Sequence, residues 1–198
     1  MERRRLAPSD WISIGLYSLL YFIMVGISAL LCVFIIPGYS YVYIPVVSAL
    51  LSGPVFMLAH AKVPKFGMIF TMALVMGIFF LVSGRFPLAI LPAIIFGFLS
   101  DGINHPFHYR NRWVSLVSYV LFSFGPTGPI WPLFFAPERY AYDLASDGKN
   151  VEYIASIFEA ISLNTGWLVL ILLFIASIIG GLFGQYLLKK HFKRAGIV

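Results

Sequence analysis

The run Trp11-Ile12-Ser13-Ile14-Gly15-Leu16-Tyr17-Ser18-Leu19-Leu20-Tyr21-Phe22-Ile23-Met24-Val25-Gly26-Ile27-Ser28-Ala29-Leu30-Leu31-Cys32-Val33-Phe34-Ile35-Ile36 contains no charged side chain. As a helix rising ~1.5 Å per residue it is longer than the ~30 Å hydrocarbon layer of a bilayer. The same freedom from charge continues to Ala61, with no Asp, Glu, Lys or Arg between it and Trp11. Arg3, Arg4 and Arg5 precede the run as they would a signal peptide, but it is too long and lacks a convincing small-residue cleavage site, so a retained span is expected. Of the 198 residues, 60% are apolar and 11% charged, the latter about half the share of a soluble domain. Such a chain needs lipid as part of its solvent.

Working outward, six apolar stretches separate at residues of about 11–36, 41–61, 66–84, 87–104, 113–135 and 160–188. Breaks fall at Pro37-Gly38, at Lys62 to Lys65 around Pro64, and at Gly84 to Pro87, where helix breakers or charge interrupt the pattern. The expectation is an all-α integral membrane protein, one membrane domain over 1–198 with six transmembrane helices. The fourth stretch is short; it either extends toward Asn104 as a crossing or forms a re-entrant segment.

Charge orients the spans. With the N-terminus inside, the cytoplasmic segments hold Arg3, Arg4, Arg5, Lys62, Lys65, Arg110, Arg112, Lys189, Lys190, Lys193 and Arg194, which is 11 of the 14 basic residues. Arg85, Arg139 and Lys149 remain outside, and the outer loop 137–159 carries five acids against two bases. That asymmetry predicts both termini in the cytoplasm. The net charge of +6 sits in clusters at span ends, which excludes a nucleic-acid surface as its reading. The single cysteine, Cys32, excludes an intramolecular disulfide.

Enzyme motifs are few. Asp101-Gly102 is similar to the opening of the aspartate-rich motif of CDP-alcohol phosphotransferases, but the further aspartates that would hold metal are missing. There is no His-Glu-x-x-His, Walker loop or activated nucleophile, so neither catalysis nor a bound metal or cofactor is expected. His105 and His108, with Pro106 between them, read as transition-metal ligands or as a basic, aromatic loop at the headgroups or against a partner.

The fifth stretch contains Gly125-Pro126-Thr127-Gly128-Pro129-Ile130-Trp131-Pro132, which predicts broken backbone toward the outer side. Such backbone is tolerated at membrane depth where protein or a water-filled cavity satisfies it; a simple kink is the other reading. Aromatic residues gather on the same side. Tyr39, Tyr41, Tyr43, Trp131 and Tyr140, with Arg85 and Arg139, form either an interfacial belt or a clasp for a planar or anionic small molecule. In the outer loop, Val151, Ile154, Ala155, Phe158 and Ile161 have helical spacing, so a short interfacial helix is expected there, in a loop that is a lid or a solvated connector. Small residues mark helix contact faces on the first span (Ser13, Gly15, Ser18, then Gly26, Ser28, Ala29) and on the last (Ala176, Ser177, Gly180, Gly181, Gly184). These serve packing within the chain or a helical partner.

The C-terminal Gly180-Gly181-Leu182-Phe183-Gly184 leading to Lys189-Lys190-His191-Phe192-Lys193-Arg194-Ala195-Gly196-Ile197 resembles the Trep_Strep family of bacterial membrane proteins. Asp10-Trp11-Ile12-Ser13-Ile14-Gly15, followed by Tyr21-Phe22, is also similar to that family. The resemblance implies an S-component-like helical bundle of an energy-coupling factor (ECF) transporter, in the plasma membrane. Such a subunit captures a vitamin or other micronutrient outside and docks on a transmembrane coupling subunit with two ATPase subunits, which hydrolyse the ATP. Its docking face uses alanines on the first helix; here Ser13, Gly15 and Ser18 stand in their place. A haem or other tetrapyrrole is a further possible substrate, with Tyr or Met rather than His available to its iron. The alternatives are a stand-alone secondary transporter, for which the spans are poor in acids, and a membrane enzyme.

Overall fold

A computed structural model describes residues 6–36, 40–83, 86–146, 148–159 and 163–192, and among these there is no strand. The helices are α1 (Pro8–Ile35), α2 (Ser40–Leu51), α3 (Gly53–Lys62), α4 (Met68–Val82), α5 (Leu91–Asn104), α6 (Arg112–Ser123), α7 (Trp131–Phe135), α8 (Pro137–Ser146), α9 (Val151–Glu159) and α10 (Leu163–Leu187). Local chemistry sets several ends. Pro8 opens α1, and Asp10 two residues on accepts from the Ala7 amide at 2.6 Å. The Asn111 side chain caps α6 by accepting from the amides of Trp113 and Val114 at 2.9 and 3.3 Å.

Among the described residues, three helical stretches are long and apolar enough to cross a membrane: 8–35, 87–107 and 164–190. The second shows the fourth apolar stretch running on through Asn104, by way of 3-10 turns at Pro87–Ile90 and His105–Phe107. The stretch 41–61 is not one straight helix. It bends by 50° between α2 and α3, giving a fourth span if the pair counts as one. The break at Ser52 precedes Gly53-Pro54, where Pro54 has no amide to continue the ladder. Helix α4 has 15 residues, ~22 Å of helix and short of a full bilayer core.

Packing closes these elements into a ring. α1 lies against α2, α3 and α4; α4 against α5; α5 against α6; α6 against α10; and α10 against both α2 and α3. Inside the ring, Ile14, Tyr21, Phe56, Met57, Met72, Tyr119 and Phe122 form a continuous buried core. The closure between α10 and the α2–α3 bend is backbone against backbone. A Cβ added to Gly180 would stand 2.2 Å from the Ala49 carbonyl oxygen, and one on Gly184 would stand 2.5 Å from that of Gly53. The small residues of the last span are therefore used within the chain. Those of α1 divide: Ser18 and Ser28 are buried, whereas Gly15 and Gly26 face open space. With them on the outer surface of α1 lie Ile12, Leu16, Leu19, Leu30 and Phe34, the last 81% exposed, an apolar stripe suited to lipid.

The hydrogen bonds divide the bundle into two ends. At one, the start of α1 meets the α3–α4 turn through Lys65 and Asp10 at 2.5 Å, and the end of α10 meets the start of α6 through Gln185 Nε2, which donates to the Arg112 carbonyl at 2.6 Å. Lys62, Lys65, Arg110, Arg112, Lys189 and Lys190 all belong to the turns and helix ends of this basic end. The loop end holds the broken fifth stretch with α7, α8 and α9.

Candidate functional site

The fifth apolar stretch is continuous helix only to Ser123; a 3-10 turn at Gly125–Thr127 and the short α7 follow. Residues 125 to 130 are all buried. Protein satisfies the interrupted backbone. Thr127 donates from its amide to the Phe124 carbonyl at 3.2 Å and from Oγ1 to the same oxygen at 2.5 Å. The Pro129 carbonyl accepts from the Tyr41 hydroxyl at 3.0 Å. A Cβ on Gly128 would fall inside bonding range of the Ala89 carbonyl, so glycine is required for this segment to lie on the turn before α5.

Two helices cover the break. α8 and α9, both within the loop 137–159, bury Tyr140, Leu144 and Ile157 against Ile130 and Leu133, with Tyr41, Phe86, Phe134, Ile154 and Phe158 packed around them. The expected helix near 151 is α9, while α8 has a local signal of its own. Pro137 opens it, and Tyr140 and Leu144 stand one turn apart on its buried side. The Tyr140 hydroxyl lies 3.1 Å from that of Tyr41, so a single hydroxyl pair joins α2, α8 and the broken segment.

Among the residues singled out from sequence, Tyr41, Tyr140 and Trp131 come together around this segment. Trp131 donates from Nε1 to Thr127 Oγ1 at 2.9 Å and packs its ring on Phe96 and Phe135. Tyr43 is half-buried on α2, and Arg139 is exposed at the start of α8. Tyr39 and Arg85 lie outside the described residues, as do Arg3, Arg4, Arg5, Lys193 and Arg194. Behind the broken segment, Tyr21, Ala73, Met76, Phe122, Gly125 and Pro126 line an apolar crevice too narrow to admit water. Of the three docking candidates, Gly15 is exposed, Ser13 is half-buried and donates to the Ser9 carbonyl at 3.1 Å, and Ser18 faces inward with a buried hydroxyl that has no hydrogen-bond partner.

The basic end carries a buried polar network that spacing alone does not show. Asp101 is fully buried, and one carboxylate oxygen accepts from the amides of Gly67 and Phe70 at 2.7 and 3.2 Å. Its carboxylate thus caps α4, whose own N-cap residue, Gly67, has no side chain to do so. The other oxygen accepts from the Tyr109 hydroxyl at 2.5 Å. Next to it, His60 Nε2 is 3.0 Å from Asn104 Oδ1, and Asn104 donates to the Ser100 carbonyl at 3.0 Å. Burial, and then the bond to Asp101, push the Tyr109 phenol far above its ordinary range, so it remains a proton donor.

His108 and Tyr109 adopt φ of 51° and 59°. His108 ends α5 and its 3-10 turn as a left-handed cap: its amide donates to the His105 carbonyl, and the Tyr109 amide reaches back to the Asn104 carbonyl, at 3.3 Å each. Two consecutive non-glycine residues in this region store about 1–2 kcal/mol each, and the Tyr109–Asp101 bond holds them there. His105 and His108 are exposed, and no group of three or more His, Cys, Asp or Glu side chains among the described residues could hold a metal.

A family model described as "Hypothetical bacterial integral membrane protein (Trep_Strep)" matches residues 9–194. The chain belongs to the Trep_Strep family. No curated protein and no solved structure matches it. This Trep_Strep protein is thus an integral membrane protein, in accord with its long apolar helices. Of its two ends, the loop end gathers the aromatic residues singled out from sequence, with Tyr41, Tyr140 and Trp131 packed around the broken segment under α8 and α9.

Proposed function

We propose that this Trep_Strep protein is the substrate-capture subunit, or S component, of an ECF-type importer, and that the loop-end site takes a vitamin or similar planar micronutrient. The observation that carries the reading is the junction of Tyr41, Tyr140 and the Pro129 carbonyl, where a two-helix cover meets broken backbone. A ligand with its own polar groups can replace the hydroxyl pair and stack on Tyr41, Tyr140 and Trp131, while α8 and α9 exclude water. Arg85 and Arg139 would complement an anionic substituent. The alternation of basic and loop ends along the ring supports six passes with both termini in the cytoplasm, α4 crossing where the bilayer thins. The outward Gly15 on α1 is open to a coupling subunit, whose two ATPase partners would hydrolyse ATP.

The test is purification from the native membrane in mild detergent, with mass spectrometry of copurifying proteins and of any molecule released on denaturation. The expected result is a coupling subunit with two ATPases and a retained ligand, lost from the Tyr41→Ala variant. Proton-driven uptake by the chain alone in liposomes would overturn the assignment in favour of a secondary carrier.

A further inference from the structure

At the basic end, acids and bases are unequally placed. The described acids there, Asp10 and Asp101, are both engaged: Asp10 with Lys65 and the Ala7 amide, Asp101 with Tyr109 and the start of α4. Arg112 and Lys190 make no ion pair among the described residues; Arg112 lies over the Trp113 ring, 5.1 Å from its centroid, and Lys190 donates from Nζ to the Tyr186 hydroxyl at 3.0 Å. The two pairs stand on neighbouring helices, because Gln185 clips α10 to α6 by donating to the Arg112 carbonyl and to Ser115 Oγ at 2.6 and 3.2 Å. Lys189, one turn beyond Gln185, is exposed beside them.

Below these cations the same two helices present apolar surface. Val117 is one turn from Trp113 on α6, and Leu182 is one turn from Tyr186 on α10; all four are exposed. Toward the membrane interior, then, the surface of α6 and α10 passes from cations to aromatic rings to exposed aliphatic side chains. This is the profile of a phospholipid: a phosphate at the headgroup level, glycerol beside aromatic rings, and acyl chain below. An acidic protein surface would account for the cations but not for the apolar surface under them.

We propose that the seam between α6 and α10 at the basic end is a binding site for an anionic phospholipid. Arg112, Lys189 and Lys190 hold the phosphate, Trp113 and Tyr186 flank the glycerol, and Val117 and Leu182 contact a chain. Each cation contributes to headgroup attraction by about fivefold in affinity. The proposal is independent of what the loop end binds, since the two sites lie at opposite ends of the bundle.

The experiment uses the full chain in mild detergent, titrated with phosphatidylglycerol or phosphatidylcholine and read by native mass spectrometry as retained lipid per protein. Phosphatidylglycerol is expected to be retained at least tenfold more strongly, and Arg112→Gln with Lys189→Gln to remove most of that preference. Lys149→Gln, at the loop end, serves as the control and should change it little. Equal retention of the two lipids by the unaltered protein would overturn the proposal without reference to any variant. An equal loss in Lys149→Gln would reduce the effect to diffuse charge and overturn the site. Displacement of the lipid by millimolar glycerol phosphate would show that a free phosphate, not a lipid, is the ligand.

Discussion

The two ends of the bundle are held by different kinds of interaction. At the basic end a buried carboxylate, an ion pair, a His–Asn pair and a strained loop interlock α1, α3, α4 and α5. At the loop end, α8 and α9 rest on apolar side chains, and the neutral hydroxyl pair of Tyr41 and Tyr140 ties the cover to α2. Charge-assisted hydrogen bonds to a buried group are strong, and leaving any member unpaired is expensive. A neutral hydrogen bond contributes less, about 1 kcal/mol. On the proposed reading, the basic end is the fixed frame and the loop end the part that opens. This division is what capture of a molecule from outside would require.

The sharpest way to break the comparison is at Asp101. Asp101→Ala takes the carboxylate acceptor from the Gly67 and Phe70 amides and leaves the buried Tyr109 hydroxyl only its 3.5 Å contact with the backbone carbonyl of residue 101. A loss of about 3 kcal/mol or more is expected, read as a lower thermal midpoint in detergent. Asp101→Asn keeps an oxygen for the α4 amides and turns its NH2 to the Tyr109 hydroxyl, which can accept, so a loss of about half that size is expected. A normal midpoint for Asp101→Ala would mean that the network does not hold the basic end together. If instead the midpoint stayed normal while an enzymatic activity disappeared, Asp101 would be catalytic.

How much of this was legible in the sequence depends on whether the relevant contacts are local. Uncharged length announced α1 and α10, and Gly125 to Pro132 announced the broken fifth stretch, because proline and glycine act on their own residues and neighbours. The helical spacing of Val151, Ile154 and Phe158 announced α9. The bend at Ser52 had its own local signal in Gly53-Pro54, but the uninterrupted apolar character of 41–61 concealed it. Asp101 illustrates what spacing cannot show. Its partners are Gly67, 34 residues away, and Tyr109, eight away, and only the packing of α4 on α5 reveals the carboxylate as a cap for another helix. The pairing of Tyr41 with Tyr140, 99 residues apart, was foreseen as a gathering of aromatics on one side and not as a hydrogen bond.

A smaller effect is expected at that hydroxyl pair. At about 1 kcal/mol per hydrogen bond, Tyr41→Phe, which removes the bonds to the Pro129 carbonyl and to Tyr140, should cost more than Tyr140→Phe, which removes only the latter, and the two changes should be less than additive because they share that bond. Hydrogen exchange is the measurement that separates the ends: amides of 137–159 should exchange faster in either variant, while those of 101–112 remain as in the unaltered protein. Faster exchange at both ends would mean that the bundle opens as one unit and that no fixed frame exists.

The smallest effect on the fold is expected at Gly15, where an added Cβ meets nothing within 4 Å. Gly15→Leu places an apolar side chain on an already apolar stripe and removes a residue that disfavours helix by about 1 kcal/mol. The thermal midpoint should therefore hold or rise slightly, and hydrogen exchange at both ends should be unchanged. If α1 is the face that meets a coupling subunit, the same substitution fills the space a partner helix would occupy, and the copurifying subunits should be lost while ligand retention is kept. Normal copurification with Gly15→Leu would move the contact off this part of α1. Loss of stability would instead show that Gly15 is packed against another part of the chain, which the open space around it in the isolated bundle argues against.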